Sequence, residues 1–472
     1  MLDFKSIRHD PDFFKKALSK KGISASQIED LLATDERRRE LIQQTESDKA
    51  TQNEVSKKIP NLTGAEKEAL LTQMKSVSER RKEAEQELEQ VEAKFEQLLY
   101  SLPNLPFEDV PVGKDETSNQ ELEKVGTPPK FKFSPRDHVE IGSLTGTIDI
   151  ETARQTSGAR FAVLRGKGAL LEWALQRFAL EKLQKAGFTP VIPPMMIRGQ
   201  TVHEAGKSAG TLANALDAPE KFTFPDDDLS MIGTAEHVLC SFHRQEVLPE
   251  KRLPLRYCGW SSCFRREAGA AGKDTHGIIR VHQFEKLEMF LFSHPEKSEE
   301  EHQRMLELQK EIWNDLKIPY RVVQNCTGDI AWSDAKMFDI EAWIPSQKKY
   351  REVTSCSNCT DFQSRRTRTK FQNSSGEKEL VHTLNATAIA IQRAIVAIYE
   401  NFQQEDGSVQ IPKALQPYCG FEVIEVKKGK PHLSPVPAGG LVEKRPKNFL
   451  PRDGKSSGWR DILKIKSTIR IL

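Results

Sequence analysis

The sequence predicts an α+β protein, in which an antiparallel coiled-coil hairpin of helices precedes a larger domain built on a mostly antiparallel β-sheet with flanking helices. Residues 30–102 are rich in Glu, Lys, Gln and Arg, and they contain a single glycine, Gly64, and a single proline, Pro60. Residues 141–425 instead mix helix-like and strand-like segments. A chain of 472 residues is also too long for one ordinary hydrophobic core, so two or three domains are expected.

The N-terminal region, residues 1–102, carries the most regular pattern. In its second helix apolar residues recur at alternating steps of four and three, which predicts a coiled-coil seam interrupted at Arg81. The first helix is poorer, because polar side chains share its seam. The apolar seam residues are Leu31, Leu41, Val55 and Ile59 in the first helix and Leu70, Met74, Val77, Ala84, Leu88, Val91, Phe95, Leu98 and Leu102 in the second. Taken alone, such a hairpin also fits a generic oligomerisation coil.

The remaining segments follow a simple order. Residues 103–140 are rich in proline, glycine and charge, which predicts a linker. In the domain at 141–425, helices are predicted over 170–186, 298–316 and 378–402, and strands over 187–196, at both ends of 253–290, and in IPYRVVQNC and FDIEAWIP. Residues 426–472 are basic and are predicted to form a flexible C-terminal extension.

Charge and hydropathy narrow the class of protein. The sequence has 70 Lys and Arg against 68 Asp and Glu, so its formal net charge is only +2. A nucleic-acid partner would therefore have to bind at a local basic patch. The start, MLDFKSIRHDPDFF, lacks the apolar core of a secretory signal, and the sequence has no run of eighteen apolar residues. We therefore expect a cytoplasmic protein with no membrane partner.

The cysteines predict reduced thiols, because there are seven of them in a large chain without a signal. Cys356 and Cys359 form a CxxC pair, but no second Cys or His pair stands at zinc spacing. Ordinary thiols beside a pocket are therefore favoured over a zinc site.

The stretch FRREAGAAGKDTHGIIRVHQF, residues 264–284, predicts a nucleotide site. Arg265 and Arg280 lie at the two ends of a Gly/Ala-rich turn, where their guanidinium groups can bind a polyphosphate, and Phe284 offers a ring on which a base can stack. Glu267 is expected on the same strand face as Arg265, where it can accept from the exocyclic amine of adenine. No GxxxxGK[ST] motif occurs, so the predicted ATP site lacks a P-loop.

This stretch resembles motif 2 of the class II aminoacyl-tRNA synthetases, and its details are similar to those of seryl-tRNA synthetases. Further similar stretches are PNLPFEDVPVGKDE, TAEH, FDIEAWIPSQKKYREVTSCSNC and HTLNATAIAIQR, in order over roughly residues 1–425. The resemblance implies a class II catalytic domain at 141–425. GFTPVIPP resembles motif 1, the dimer-interface segment of the class, which implies a homodimer.

By this resemblance, three arginines are catalytic. Arg265 is expected to hold the α-phosphate and the serine carboxylate, Arg280 the terminal phosphates, and Arg393 the second face of adenine. Charge develops at the α-phosphorus as the carboxylate attacks, so fixed cations there stabilise the transition state. The ATP-binding residues that the resemblance implies are Arg265, Arg266, Glu267, Arg280, Val281, Phe284, Glu352, Val353, Thr354, Ser355 and Arg393.

The resemblance also implies a serine pocket and a metal pair. Glu352 and Ser355 are expected to hold Mg²⁺, which prefers hard oxygen ligands. A buried acid and hydroxyl aimed at the substrate hydroxyl would penalise alanine. The serine-binding residues implied are Thr234, Ala235, Glu236, Arg265, Glu288, Asn385 and Thr387.

The implied function is activation of L-serine with ATP to seryl-adenylate and transfer of the seryl group to the 3′-terminal adenosine of serine tRNA, and of selenocysteine tRNA as well. The hairpin is then expected to bind the long variable arm of the tRNA. Two alternatives stay open, a paralogue that activates an amino acid for a non-tRNA acceptor and a catalytically silent RNA-binding dimer. Departures from the family pattern are LNATAIAIQR in place of a glycine-rich motif 3, His276, His237 and the segment 205–228.

Overall fold

The computed structural model of the chain describes residues 1–207, 216, 219–268 and 276–427. Most of the predicted basic extension, from residue 428 on, and the Gly/Ala-rich turn at 269–275 therefore lie outside the described residues. The helices are α1 Phe4–His9, α2 Pro11–Ser19, α3 Ala25–Lys58, α4 Ala65–Tyr100, α5 His138–Thr145, α6 Ile150–Ser157, α7 Lys167–Lys185, α8 Gly199–Ala205, α9 Glu236–Leu239, α10 Ser298–Leu316, α11 Phe362–Thr367, α12 Ile391–Asn401 and α13 Gln416–Cys419.

The strands form one large sheet and several small ones. They are β1 Gln120–Val125, β2 Ile148–Asp149, β3 Val163–Leu164, β4 Thr189–Val191, β5 Met196–Arg198, β6 Thr223–Phe224, β7 Leu229–Met231, β8 Val247–Pro249, β9 Leu255–Phe264, β10 Gln283–Ser293, β11 Tyr320–Gln324, β12 Lys336–Ile344, β13 Lys349–Asn358, β14 Lys370–Gln372, β15 Lys378–Leu380, β16 His382–Ala390, β17 Val409–Gln410 and β18 Val423–Ile424. The large sheet has eight strands in the order β1-β11-β12-β13-β16-β10-β9-β4, antiparallel except for the pair β4 and β9. The α+β fold is confirmed.

Helices α3 and α4 form the predicted antiparallel hairpin, with 34 and 36 residues. A capping box between Ser24 and Gln27 satisfies backbone groups where α3 begins. The side chains at the predicted seam are buried or half-buried in both helices. Asp48, the buried polar member of the seam, is paired with Arg80 on the opposite helix. The hairpin thus stays paired along its length although its first helix contributes few apolar residues.

The base of the hairpin packs against the rest of the chain. Phe95 and Leu99 of α4 share a core with α1, α2 and Phe362 of α11. The α-amino group of Met1 donates to the Phe362 carbonyl oxygen at 2.5 Å, and Lys21 Nζ donates to two carbonyl oxygens just before β12, each at 3.1 Å. The arm is therefore attached through its base.

The large sheet has two unlike faces. Alternate side chains of its central strands, among them Leu287, Met289 and Ile340, pack with α7, α10 and α12 into the main hydrophobic core. The opposite alternation carries Lys286, Glu288 and other polar side chains. Because successive side chains of a strand point to opposite faces, one strand both anchors the core and lines a site.

Two expectations for this domain need correction. The predicted helix over 378–402 is helical only from Ile391; the residues before it form β15 and β16. All positions of β16 after His382 are buried, because this strand lies between β10 and β13, and burial on both faces removes the alternation that marks a strand. The predicted linker at 103–140 contributes the edge strand β1 and begins α5.

Within the described ranges, no helix combines the length and the apolar content that crossing a membrane requires.

Candidate active site

Strands β9 and β10 deliver the first group of site residues. Arg265 directly follows β9, and its backbone N–H donates to the His282 carbonyl oxygen at 3.0 Å, which closes the two chain segments on each other. The Arg265 guanidinium lies over the Phe284 ring, 5.3 Å from the ring centroid, and its Nε donates to the Gly233 carbonyl oxygen at 3.2 Å. Arg265 and Phe284, which were expected to contact phosphate and adenine respectively, therefore lie side by side.

Glu267 reaches the site by a route that the sequence did not predict. It does not lie on a strand with Arg265, because β9 ends at Phe264, and its φ of 52° is left-handed, an uncommon conformation for a residue with a side chain. The expectation of a shared strand face was wrong. The turn nevertheless directs its carboxylate into the same cleft, where Arg280 Nη1 donates to Glu267 Oε2 at 2.5 Å.

Strand β13 supplies Glu352 and Ser355 to the same side of the sheet. An unbroken strand would place residues three apart on opposite faces. Here the pairing with β12 shifts between Thr354 and Glu352, so that Val353 is an extra residue in the ladder. This β-bulge brings Glu352 and Ser355 into one cleft.

Arg393, in the first turn of α12, faces this pair. Its Nη1 donates to the Glu352 carbonyl oxygen at 2.9 Å and lies 3.0 Å from Glu352 Oε1. Arg393, with smaller contributions from Arg265 and Arg280, holds the pKa of the Glu352 carboxyl below its ordinary value, although burial opposes this shift. One guanidinium group thus contacts the Glu352 carboxylate directly, and two more line the same cleft.

The oxygen atoms at this point suit a hard cation. Besides the Glu352 carboxylate and the Ser355 hydroxyl, the buried carboxylate of Asp339 stands opposite Ser355 in the neighbouring strand, and its Oδ1 has no hydrogen-bond partner. No cluster of three or more His, Cys, Asp or Glu that could hold a metal occurs in the described part of the chain. The donor set therefore fits an ion such as Mg²⁺, which takes one or two carboxylates and completes its shell with phosphate and water.

One side of this cleft carries a buried polar cluster, because Lys286 and Thr387 line the cleft and contact Glu288. Thr387 Oγ1 donates to Glu288 Oε2 at 3.1 Å, and Lys286 Nζ lies 2.5 Å from the same oxygen. A second bulge, at Ala388, puts Thr387 opposite Glu288 in the pairing of β10 with β16. Glu288 is 2% exposed, so its carboxylate has its partners in the protein and not in water.

The other residues predicted to bind serine lie deeper. Thr234, Ala235 and Glu236 are buried where α9 begins, and Asn385 is buried on β16. Asn385 Nδ2 lies 3.4 Å from Cys359 Sγ. Because Arg265 lines the cleft and also donates to Gly233, directly before Thr234, this one side chain connects the cleft with the buried segment that begins at Thr234.

The cleft encloses about 660 Å³ of empty space, part of it open to solvent. Of the predicted ATP set, only Arg266 is missing from its lining; the Arg266 guanidinium stacks on Phe222, 5.1 Å from the ring centroid. Residues that the sequence reasoning missed are Ile279, Lys286, Ala390 and Gln392. For Lys286 a signal existed, since EKLE places Lys286 and Glu288 on one face of a strand.

The two cysteines of the CxxC pair lie in different surroundings. Cys356 lies on the core side, where its Sγ approaches the His302 carbonyl oxygen of α10 at 3.7 Å. Cys359 Sγ lies 3.3 Å from Asp334 Oδ1 on the pocket side. Burial raises the pKa of both thiols well above the ordinary value, which is the behaviour of structural thiols.

Comparison with known proteins agrees with this geometry. Residues 1–106 match the model of the seryl-tRNA synthetase N-terminal domain, and residues 221–402 match that of the tRNA synthetase class II core domain (G, H, P, S and T). The serine–tRNA ligase of Thermobifida fusca is 45% identical over 424 residues, 90% of this chain and 99% of that protein. The chain belongs to the seryl-tRNA synthetase family.

Solved structures extend the same result to the fold. The seryl-tRNA synthetase of Pyrococcus horikoshii, complexed with ATP, is 40% identical with a TM-score of 0.82, covering 91% of this chain and 100% of that one. The cytoplasmic serine–tRNA ligase of Naegleria fowleri, in complex with AMP, is 32% identical with a TM-score of 0.75, covering 89% and 96%. Family membership makes this chain an aminoacyl-tRNA ligase with a class II catalytic domain.

Proposed function

We propose that this synthetase activates L-serine with ATP to seryl-adenylate and pyrophosphate, and then transfers the seryl group to the 3′-terminal adenosine of serine tRNA. The observation that carries the proposal is the placement of Arg265, which stacks on Phe284 on one side and bonds to Gly233, beside the predicted serine residues, on the other. A single guanidinium group can thereby orient both reactants.

In the first step the serine carboxylate attacks the α-phosphorus in line, and the bond to the pyrophosphate oxygen breaks. Negative charge rises on the α-phosphate during this step, and Arg265 is the cation proposed to stabilise it. Arg280 binds the departing phosphates, and Arg393 covers the second face of adenine. A carboxylate needs no general base, so the site works by orientation and fixed charge.

ATP is the proposed substrate in the cleft, and the lining supports it. Glu267 is proposed to accept from the adenine amine, and Val281, Val353 and Thr354 line the same cleft. Mg²⁺, held by Glu352 and Ser355, would neutralise phosphate charge when bound. Because Arg393 and Arg265 help to keep Glu352 ionised, its carboxylate is ready for a cation at neutral pH.

Serine is proposed to occupy the pocket at Glu288 and Thr387. Its hydroxyl would enter the hydrogen-bonded pair that these two side chains already form. Alanine offers no hydroxyl, so it would leave a buried polar group less well satisfied than serine does. Thr234, Ala235, Glu236 and Asn385 complete the proposed pocket.

The arm, residues 1–102 with the hairpin at 30–102, is proposed to bind the long variable arm of serine tRNA by its shape and phosphates. We propose a homodimer, in which the arm of one subunit serves the site of the other. Its support is a group of exposed apolar side chains at motif 1 and on α7, Leu170, Trp173, Ile192, Met195 and Met196. A cytoplasmic location and charging of selenocysteine tRNA belong to the same proposal.

Serine-dependent pyrophosphate exchange, followed by charging of a serine tRNA, tests the proposal. We expect exchange that requires serine and is not supported by alanine, and charging that requires the arm. Exchange without charging would point to the paralogue with another acceptor. Absence of both would leave the silent RNA-binding dimer.

A further inference from the structure

The Glu236 carboxylate is held by groups from several elements. Its Oε1 accepts from Gln363 Nε2 of α11 at 2.9 Å and lies 3.0 Å from Lys207 Nζ, just after α8. Gln363 is itself fixed, because its Oε1 accepts from Thr383 Oγ1 at 2.7 Å. Glu236 is 2% exposed, so its carboxylate depends on partners in the protein rather than on water.

Lys207 bridges to a second buried acid. Its Nζ also lies 3.3 Å from Oδ1 of Asp334, which is fully buried and accepts hydrogen bonds from Ser333 at 2.7 Å and Ser357 at 2.6 Å. One ammonium group therefore stands between two buried carboxylates. Ionised carboxylates are costly to bury unless they are paired, so the bridge allows both to carry charge at once.

The charges around this bridge are shared unequally. Lys207 divides its contacts between two carboxylates, and a second ammonium group, Lys21, donates to the Asp334 carbonyl oxygen but makes no contact with Glu236 that is comparable to that of Lys207. The Glu236 carboxylate can therefore still pair with a ligand cation. The titratable groups that face Glu236 are Lys207, Asp334 and, from β10, Glu288. Burial raises the pKa of the Glu236 carboxyl above its ordinary value, Lys207 opposes the rise, and the two neighbouring acids add to it.

We propose that Lys207 is a positioning residue that holds Glu236 as a directed carboxylate for the α-ammonium group of the serine substrate. The inference rests on the proposed function, since it requires serine in this pocket. It gives a role to Lys207, a residue of a segment whose sequence departs from the family pattern.

The test compares K207M with K207R in serine-dependent pyrophosphate exchange over pH 6 to 9. Without Lys207 the Glu236 carboxyl takes up a proton at a higher pH, so serine binding weakens as the pH falls. We expect the KM for serine to rise about tenfold in K207M near neutral pH, the size of effect that losing one hydrogen bond to a charged group produces, with the KM for ATP nearly unchanged. The pH at which the serine KM begins to rise should be higher than in the wild type.

Two further variants make the result specific. K207R should restore most of the serine affinity, because it restores the countercharge. In E236Q, which has no carboxylate to ionise at this position, adding K207M should change the serine KM little. K297M, at an exposed lysine paired with Glu300 on the surface, is the matched control and should leave the serine KM unchanged.

Several outcomes would overturn the inference. An unchanged serine KM in K207M would contradict it. Equal increases in the KM for serine and for ATP at every pH, together with a lower unfolding temperature, would also contradict it, because that pattern is expected of a purely structural lysine. Absence of serine-dependent exchange in the wild-type protein would contradict the proposed function itself. This failure can be told apart from failure of the Lys207 inference, because it is measured in the wild-type protein before any variant is made.

Discussion

The arm and the catalytic sheet of this protein are built by opposite means. In the arm, α3 and α4 pair through a repeating seam, and even its polar member Asp48 has its partner, Arg80, directly across the hairpin. In the sheet, the site collects side chains from segments as far apart as Lys207 and Arg393, and two bulges set which face they share. The arm therefore depends on contacts within one pair of helices, whereas the site depends on the register of several strands.

The largest effect is expected for Arg265→Ala, which changes the site and leaves the arm intact. We expect adenylate formation to fall by about a thousandfold, the upper range for losing one preorganised group that stabilises transition-state charge, while the fold and tRNA binding through the arm persist. Pyrophosphate exchange measures the first and a tRNA binding titration the second. Exchange near the wild-type rate would contradict the role assigned to Arg265.

The reciprocal change removes the arm and leaves the site. Replacing residues 36–96 by a short linker should lower charging of serine tRNA on the order of a hundredfold, because the tRNA loses a second point of attachment. Serine-dependent exchange should stay nearly unchanged, because the main core of the sheet contains no residue of the hairpin. This deletion does remove Phe95 from the separate core at the base of the arm. To avoid that complication, a second deletion should stop at residues 42–84.

Two results would distinguish a tRNA-binding arm from an oligomerisation coil. Weaker tRNA binding with a smaller salt dependence in the truncated protein supports an electrostatic tRNA arm. Charging as efficient as that of the intact protein would show instead that the hairpin is an oligomerisation coil.

A smaller effect is expected inside the serine pocket. Thr387→Val keeps the volume of the side chain and removes the hydroxyl that donates to Glu288. The preference for serine over alanine should fall by about tenfold, the equivalent of one buried hydrogen bond. Exchange rates with each amino acid measure the ratio, and an unchanged ratio would mean that the substrate hydroxyl is read elsewhere.

The smallest effect is expected in the arm seam. Asp48→Leu would replace the buried carboxylate by an apolar side chain at a seam position, and Arg80, whose side chain is 58% exposed, would be left in contact with water rather than buried. We therefore expect the free energy of unfolding of the arm to rise by about 1 kcal/mol or stay level. Thermal unfolding followed by circular dichroism measures it. A marked loss of stability would show that the pair with Arg80 sets the register of the two helices.

The local sequence pattern was sufficient to predict the structure wherever residues that are close in the sequence are also close in the fold. The seam of α4, the strands β9 and β10 around the arginine-rich turn, and the placement of Arg265, Arg280 and Phe284 in one cleft were predicted for this reason. The helix periodicity and the ends of a hairpin are set within a few residues, so the sequence displays them directly.

Tertiary structure decided what depends on partners far along the chain. Residues 382–390 form a strand because β10 and β13 leave a place between them, although the same residues lack the alternation of a strand. The direction of Glu267 follows from a left-handed backbone, and the bridge from Lys207 to Glu236 and Asp334 joins three segments separated by up to 127 residues. Buried charges select their partners by distance in the folded chain, and no periodicity in the sequence records that distance.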